Sequence, residues 1–382
     1  MDFFQLHLAS RQFGCRGMPE LDPGLMDSIT QLTLGAAIGE ATLGRSVGRK
    51  AAAWGAALGT LPDLDVLSSP FVSDYTQLAL HRGFSHSVFF ALAGGAAIAY
   101  GLRRLHHRYE VSFRKWFLFT FLTLFTHALL DGFTVYGTQL LNPVSSYPFA
   151  WNSVFIIDPL YTIPLLLGLV VALILSRAST WRQRFVMGGL IFSTAYLGWG
   201  QIAKSVVDSD FQASLNEQGI RYESFISNPT ALNSILWMGM ARTEDWVYVS
   251  LHGLLDAPDA KIRWMKIPRN PELIARARKT ENPYVERLLW FSRGFYRLER
   301  DPDGRLFFHD LRFGRSDGYL TDKGNYIFRF HLLEDESGAI TGFKQFRPVV
   351  EGRSATIDLL WKRMNGDTSI QGEVQQELYP AH

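Results

Sequence analysis

The 382-residue chain contains one cysteine, Cys15, so it has neither an internal disulfide bond nor a cysteine-based metal site. It also has little net charge, because 38 basic and 36 acidic residues leave a formal value of +2. A chain without a strong basic field has no long-range attraction for nucleic acid, so no nucleic-acid partner is expected. The absence of an HExxH motif argues against a membrane metalloprotease.

Long apolar runs dominate the first half of the chain, whereas the second half is mixed and charged. Six apolar segments are candidates for a bilayer: 29–43, 51–61, 87–102, 116–130, 154–176 and 185–202. A helix needs about 20 apolar residues to span a membrane, so 154–176 is the best single candidate. The shorter segments are expected to tilt or to pack among their neighbours, which their small residues favour. We predict an α-helical integral membrane domain of about five or six apolar helices, followed by a soluble α+β domain.

The change in composition sets the expected boundaries. Residues 1–25 lack the continuous apolar run of a signal peptide, and MDSITQ at 26–31 looks like a natural start, so 1–25 is interpreted as an N-terminal extension. The helical membrane domain is assigned to 26–205 and the soluble domain to 206–382. In the soluble domain, alternating apolar residues predict strands, and two amphipathic patterns predict helices. The strands are expected at 246–252, 305–313 and 325–333, and the helices at 270–280 and 283–291.

The distribution of Lys and Arg predicts an orientation in the membrane. Basic residues cluster around 45–50, 103–115 and 177–184, whereas 51–80 and 131–153 contain none. Loops rich in Lys and Arg stay in the cytoplasm. We therefore expect a bacterial-type inner-membrane protein whose loops 62–86 and 131–153, and whose C-terminal domain, lie on the periplasmic side.

Six histidine and aspartate side chains fall at segment ends on that predicted periplasmic side. They come from PDLD, HRGFSHS and HALLD, and are Asp63, Asp65, His81, His86, His127 and Asp131. The last two are four residues apart and lie on one face of a helix. Imidazole nitrogen combined with carboxylate oxygen is the ligand set of catalytic Zn²⁺ or Mn²⁺ sites. We predict a divalent metal site, of Zn or Mn, with ligands enough for two ions.

Further polar residues near these motifs suggest roles in catalysis. Arg82 is suited to hold a phosphate, and Asp63 or Asp65 to act as general base, so the predicted catalytic residues are Asp63, Asp65, Arg82 and Asp131. Five other polar residues are expected to orient the ligands or the substrate from behind: Asp27, Gln31, Ser87, Thr134 and Asp158.

The succession of MDSITQLTLGAAIGEATLGRSVGRKAAAWGAALGTLPDLD, HRGFSHS and HALLDGFTVYGTQLLNP resembles the YdjM-like family of LexA-binding, inner-membrane-associated, metal-dependent hydrolases. The resemblance covers roughly residues 26–176 and does not extend to the C-terminal domain. It implies a membrane-bound hydrolase whose motif positions fall on the same six histidine and aspartate residues. The LexA link implies a protein partner.

Three functions remain open from the sequence. The first is a membrane-bound metal-dependent hydrolase that acts on a phosphoester or lipid-like substrate at the outer membrane–water interface, with membrane lipid or a small molecule as its partner. The second is a metal-free lipid phosphatase with a histidine nucleophile, but only HxxxD at 127–131 fits that signature. The third is a non-enzymatic membrane protein with a structural or sensing metal site, which binds a protein partner through its C-terminal domain.

Overall fold

The computed structural model describes residues 23–270, 272–273, 275, 281–322, 324–346 and 353–372. Most of the predicted extension at 1–25 and of the predicted helix at 270–280 lies outside these residues. The molecule consists of a helical N-terminal region followed by a C-terminal domain rich in β-sheet. This order agrees with the predicted succession of a helical domain and an α+β domain.

The helical region has seven α-helices and three 3₁₀ helices among the described residues. The α-helices are α1 (Pro23–Val47), α2 (Lys50–Thr60), α3 (Asp74–Leu80), α4 (Val88–Leu105), α5 (Phe113–Gly132), α6 (Pro159–Ile174) and α7 (Thr180–Glu217). The 3₁₀ helices are Pro62–Phe71, Phe84–His86 and His107–Tyr109. Each of the six predicted apolar segments coincides largely with one of the longer α-helices.

Two features hold the helices of this region together. On α1 and α2, a Cβ on Gly35 or on Gly55 would overlap the carbonyl oxygen of the other residue, so the glycines allow direct backbone contact. Farther along α1, the buried carboxylate of Glu40 accepts two hydrogen bonds from Arg182 of α7, at 2.5 and 2.7 Å. This pair ties the first long helix to the last one.

One α-helix in the described part of the chain, Val88–Leu105, is long and apolar enough to cross a membrane, and Pro159–Ile174 is a shorter apolar helix. The predicted five or six membrane helices are therefore not confirmed. The outer faces of α6 and α7 nevertheless carry exposed large apolar side chains. Ile174, Ile191 and Ile202 are 73%, 63% and 61% exposed, a pattern that suits an apolar surrounding.

The C-terminal domain contains two antiparallel four-stranded sheets with strands in sequential order. The first is β1 (Ser224–Pro229), β2 (Leu236–Arg242), β3 (Trp246–Gly253) and β4 (Met265–Pro268). The second is β5 (Tyr296–Arg300), β6 (Leu306–Arg315), β7 (Tyr326–Glu334) and β8 (Ile340–Phe346). Helices α8 (Pro283–Ser292) and α9 (Arg353–Met364) complete the described elements. The predicted strands correspond to β3, β6 and β7, and the predicted helix at 283–291 corresponds to α8.

Helix α7 joins the two regions without interruption. It ends at Glu217, so the boundary expected between 205 and 206 falls inside a continuous helix. Beyond that point the apolar residues recur every four positions and continue one face of the helix. Val207 and Phe211 on this face are fully buried against Trp237 of β2. The end of α7 therefore belongs to the core of the C-terminal domain.

Candidate metal centre

The HRGFSHS motif forms a compact turn that directs its polar side chains inward. His81 ends α3, Arg82 adopts a left-handed backbone conformation (φ 53°), and the 3₁₀ helix Phe84–His86 follows. Ser87 then caps α4, because its hydroxyl accepts a hydrogen bond from Phe90 N. The reversal at Arg82 also lets its backbone N–H donate to Asp65 Oδ2 at 3.0 Å. The motif is thereby fixed against PDLD, whose aspartates lie in the first turn of the 3₁₀ helix Pro62–Phe71.

Four of the six predicted ligands converge on one point. Nε2 of His86 lies 3.2 Å from Nε2 of His127, 3.3 Å from Oδ1 of Asp63 and 3.3 Å from Oδ2 of Asp131. His127 Nε2 lies 3.4 Å from the same Asp63 oxygen and 3.6 Å from the same Asp131 oxygen. All four atoms lie within 4.8 Å of one another. We call these four residues the His–Asp cluster.

The spacing of the cluster agrees with the geometry of a tetrahedral metal site. Ligand atoms about 2.0–2.1 Å from a Zn²⁺ ion lie about 3.3 Å from one another along the edges of a regular tetrahedron. Five of the six edges among these atoms measure 3.2 to 3.6 Å and bracket that length, and the whole set lies within 4.8 Å. Two imidazoles and two carboxylates are also a ligand set that Zn²⁺ and Mn²⁺ accept. The residues present therefore fit one divalent ion.

The orientation of the two imidazoles supports this arrangement. His127 Nδ1 lies 2.7 Å from the carbonyl oxygen of Gly59. A carbonyl only accepts, so Nδ1 carries the proton and Nε2 presents its lone pair to the cluster. His86 Nδ1 lies 3.0 Å from Ser85 Oγ, which likewise leaves Nε2 directed at the cluster.

The Asp131 carboxylate is held from one side only. Its Oδ1 accepts a hydrogen bond from Gln31 Nε2 at 2.9 Å and lies 3.3 Å from Arg82 Nη2. Its Oδ2, the atom that faces the cluster, is buried and makes no hydrogen bond to the described residues, although Nε2 of His86 lies 3.3 Å away. A buried carboxylate oxygen is costly to leave unsatisfied, and a cation in the cluster would satisfy it.

The charges of the cluster shift its own pKa values. Burial by itself lowers the pKa of His86, but the adjacent carboxylates of Asp131 and Asp63 outweigh this effect and raise the pKa to about 9. Burial by itself raises the pKa of Asp63, but the adjacent imidazoles of His127 and His86 lower the pKa well below the ordinary value of 3.8. At neutral pH the cluster thus holds carboxylates and a proton on His86, and a divalent ion has to displace that proton.

The other two predicted ligands form a neighbouring pair. His81 Nδ1 lies 3.0 Å from Asp65 Oδ1, and the second oxygen of Asp65 accepts from Arg82 N. Asp65 approaches His86 Nδ1 only to 3.8 Å. Both side chains are thus beside the His–Asp cluster but outside the set of four converging atoms. Whether they hold a second ion stays a prediction.

The remaining predicted site residues occupy varied positions. Arg82 is buried, and its Nη1 donates to Thr134 Oγ1 at 3.0 Å, so the guanidinium is engaged by protein groups and its role as a phosphate clamp stays a prediction. Gln31 contacts Asp131 directly, whereas Ser87 caps α4.

Asp158 lies farther from the cluster. It caps α6 through Leu160 N and accepts a hydrogen bond from Tyr196, and a small cavity separates it from Asp131. The side chain of Asp27 lies outside the described residues.

Two contacts of the centre were not predicted from the sequence. The Gly59 carbonyl that orients His127 belongs to an apolar helix with no polar signal. Tyr136, whose ring lies 5.0 Å from the Arg82 guanidinium, is an ordinary aromatic residue in a loop. Ser85, by contrast, belongs to the HRGFSHS motif, so its contact with the adjacent His86 could be predicted from the sequence.

Comparison with known proteins agrees with these features. Over 83 residues, or 22% of its length, this chain is 36% identical to inner membrane protein YbcI of Escherichia coli (strain K12). The match covers 46% of that protein, so the chain spans about half the length of this curated relative. No solved structure matches the chain significantly. Residues 26–207 match the model of the YdjM inner membrane protein family. The family resemblance seen in the motifs is confirmed for residues 26–207, which are similar to the YdjM inner membrane proteins.

Proposed function

We propose that this protein is a membrane-bound metal-dependent hydrolase that acts on a phosphoester or lipid-like substrate at the periplasmic membrane–water interface. The observation that carries the proposal is the convergence of two imidazole nitrogens and two carboxylate oxygens within 4.8 Å of one another, with Oδ2 of Asp131 left without a hydrogen bond among the described residues. A divalent ion bound there supplies a Lewis acid and an activated water.

The exposure of the cluster favours one direction of approach. The side chain of Asp63 is 21% exposed, whereas those of His86, His127 and Asp131 are exposed by 0%, 1% and 2%. A substrate would therefore approach from the side of Asp63. Asp65, beside it, is 11% exposed and is placed to accept a proton from an attacking water if the hydrogen bond to His81 is exchanged.

The surroundings of Asp63 favour a lipid-like substrate. The 3₁₀ helix that carries Asp63 also carries Leu64, Leu67 and Phe71, which are 50%, 63% and 86% exposed. Apolar side chains beside the accessible ligand suit a substrate with an apolar part, or contact with the membrane surface itself.

The number of ligands also favours an alternative. Four protein ligands fill the tetrahedral coordination of Zn²⁺, as in structural zinc sites, whereas catalytic sites keep one position for water. A structural or sensing metal site, with a partner-binding C-terminal domain, is therefore the second candidate function.

Metal content and turnover of the full-length protein, purified in detergent, separate these functions. We expect about one equivalent of Zn or Mn, lost in the double variant His86→Ala/His127→Ala and retained in His107→Ala, which changes an exposed histidine outside the cluster. Metal-dependent cleavage of phosphomonoester, phosphodiester or ester lipids would support the hydrolase. Bound metal without turnover, together with unfolding on chelation, would favour the structural site. No metal after reconstitution with Zn²⁺ and Mn²⁺ would overturn both.

The proposed periplasmic orientation has its own test. Because Cys15 is the only cysteine, a Cys15→Ser background allows one new cysteine to be placed at Val144, which is 78% exposed in the loop after the centre. We expect Val144→Cys to react with a membrane-impermeant maleimide in intact spheroplasts, and Ser46→Cys at the predicted cytoplasmic end of α1 to react only after lysis. The reverse pattern would contradict the orientation.

A further inference from the structure

The C-terminal domain forms hydrogen bonds with the loop between α5 and α6, which begins next to the metal centre. Arg312 of β6, paired with Asp310 at 2.7 Å and fully buried, donates from Nη1 to the carbonyl oxygen of Val135 at 3.4 Å. Farther along the loop, Arg293 donates to the carbonyl oxygen of Pro148. The loop between α5 and α6 is thus bound to the C-terminal domain at two points, one near its start and one just past its middle.

Between these two points, the ring of Tyr136 inserts among aromatic side chains of the C-terminal domain. Its centroid lies 5.2 Å from that of Phe291, 6.0 Å from that of Phe313 and 6.2 Å from that of Phe328, all in inclined arrangements. Such edge-to-face contacts fix the orientation of a ring as well as its position. Helix α8 and strands β6 and β7 therefore set where Tyr136 lies.

The same ring contacts the metal centre. The Arg82 guanidinium lies 5.0 Å from the ring centroid of Tyr136, at the distance of a cation–π interaction. Nη1 and Nη2 of that guanidinium in turn reach Thr134 Oγ1 at 3.0 Å and Asp131 Oδ1 at 3.3 Å. A continuous series of contacts leads from the C-terminal domain through Tyr136 and Arg82 to a ligand of the cluster.

We infer that the C-terminal domain helps to shape the metal centre. It does so through Tyr136, a positioning residue that holds Arg82 against the metal ligand Asp131. By fixing Arg82, Tyr136 keeps Oδ1 of Asp131 engaged and Oδ2 directed at the ion. The inference rests on the metal site of the proposed function but not on hydrolysis. It assigns the C-terminal domain a role in the geometry of the centre, in addition to any partner that this domain binds.

The test is Co²⁺ binding to the full-length protein, followed by the visible d–d spectrum and by chelator competition. Tyr136→Leu removes the ring, and Phe313→Leu removes one of its supports from the other domain. Both are expected to weaken Co²⁺ binding about tenfold and to alter the spectrum, because groups that orient metal ligands contribute about 10–100-fold to affinity. Tyr136→Phe keeps the ring and is expected to keep both the affinity and the spectrum.

Phe343→Leu is the matched control for lost stability. Phe343 is buried in the same sheet and contacts Tyr75 and Tyr284 where the two regions meet, without a ring contact to Tyr136 among the described residues. It is expected to lower the unfolding temperature but to leave the spectrum unchanged. Should Tyr136→Leu fail to fold, Phe313→Leu still decides the question. A wild-type spectrum and affinity in the ring-loss variants would overturn the inference alone, whereas a wild-type protein without Co²⁺ would overturn the metal site itself.

Discussion

Nε2 of Gln31 lies 2.9 Å from Oδ1 of Asp131, so a residue 100 positions away in the sequence holds the carboxylate that faces the His–Asp cluster. The same Nε2 lies 3.3 Å from the carbonyl oxygen of His127. Gln31 thereby joins α1 to the helix that supplies two of the four ligand atoms.

Gln31→Met is expected to weaken metal binding about 10–100-fold, because Oδ1 of Asp131 loses the closer of its two partners and the carboxylate is held by Arg82 alone. Chelator competition with Zn²⁺ measures this change. The control is Gln183→Met, since Gln183 Nε2 also bonds to α1, at the carbonyl oxygen of Ala41, but on the side of the basic loops. Equal affinities in the two variants would show that Gln31 does not orient the ligand.

Metal affinity is expected to rise with pH. The pKa of His86 is raised to about 9 by Asp131 and Asp63, so below that value a proton competes with the ion for this imidazole. If His86 is the one competing group, the dissociation constant falls about tenfold for each unit between about pH 6 and pH 8. Titrations in buffers of different ionisation enthalpy should show release of about one proton for each ion bound. A dissociation constant independent of pH over this interval would contradict the placement of the ion at His86.

The buried pair of Glu40 and Arg182 is expected to be essential for the stability of the helical region. Their side chains are 1% and 5% exposed, so Glu40→Gln leaves a guanidinium charge buried without its counter-ion. Removal of one partner from a buried ion pair costs about 3–5 kcal/mol, whereas replacement of both by apolar residues is often neutral. Thermal unfolding in detergent should therefore show a large loss for Glu40→Gln and recovery in Glu40→Met/Arg182→Met.

The matched control for this prediction is Asp358→Asn. It breaks the exposed pair with Lys362, whose side chains are 63% and 56% exposed, and no measurable change in the unfolding temperature is expected. If Glu40→Gln behaved like this control, the buried pair would contribute nothing to stability.

Much of the site could be predicted from the spacing of residues within short sequence motifs. His127 and Asp131 fall four residues apart, so any helix brings them to one face, and the glycine in HRGFSHS permits the turn that directs His86 inward. The contacts that refine the site depend on tertiary packing. The Gly59 carbonyl reaches His127 because α2 packs against α5, and Tyr136 contacts both Arg82 and aromatic residues of the other domain.

For the fold, the sequence predicted several helices and strands but not the boundary between the two regions. Alternation identified β3, β6 and β7, although β6 is buried along nearly its whole length, and apolar runs located the long helices. The boundary at 205 failed because hydropathy falls at Lys204 while the helix continues on its buried face through Val207 and Phe211. Polarity marks where the surroundings of a helix change, but not where the helix ends.

The continuity of α7 has a mechanical consequence. Its 38 residues form a rod about 57 Å long, and each residue advances the helix by about 100°. One residue inserted near 205 would therefore turn everything beyond it by about a quarter of a revolution, and carry Phe313 away from Tyr136 without touching either. The number of residues in this single helix therefore determines how the C-terminal domain is rotated relative to the helical region.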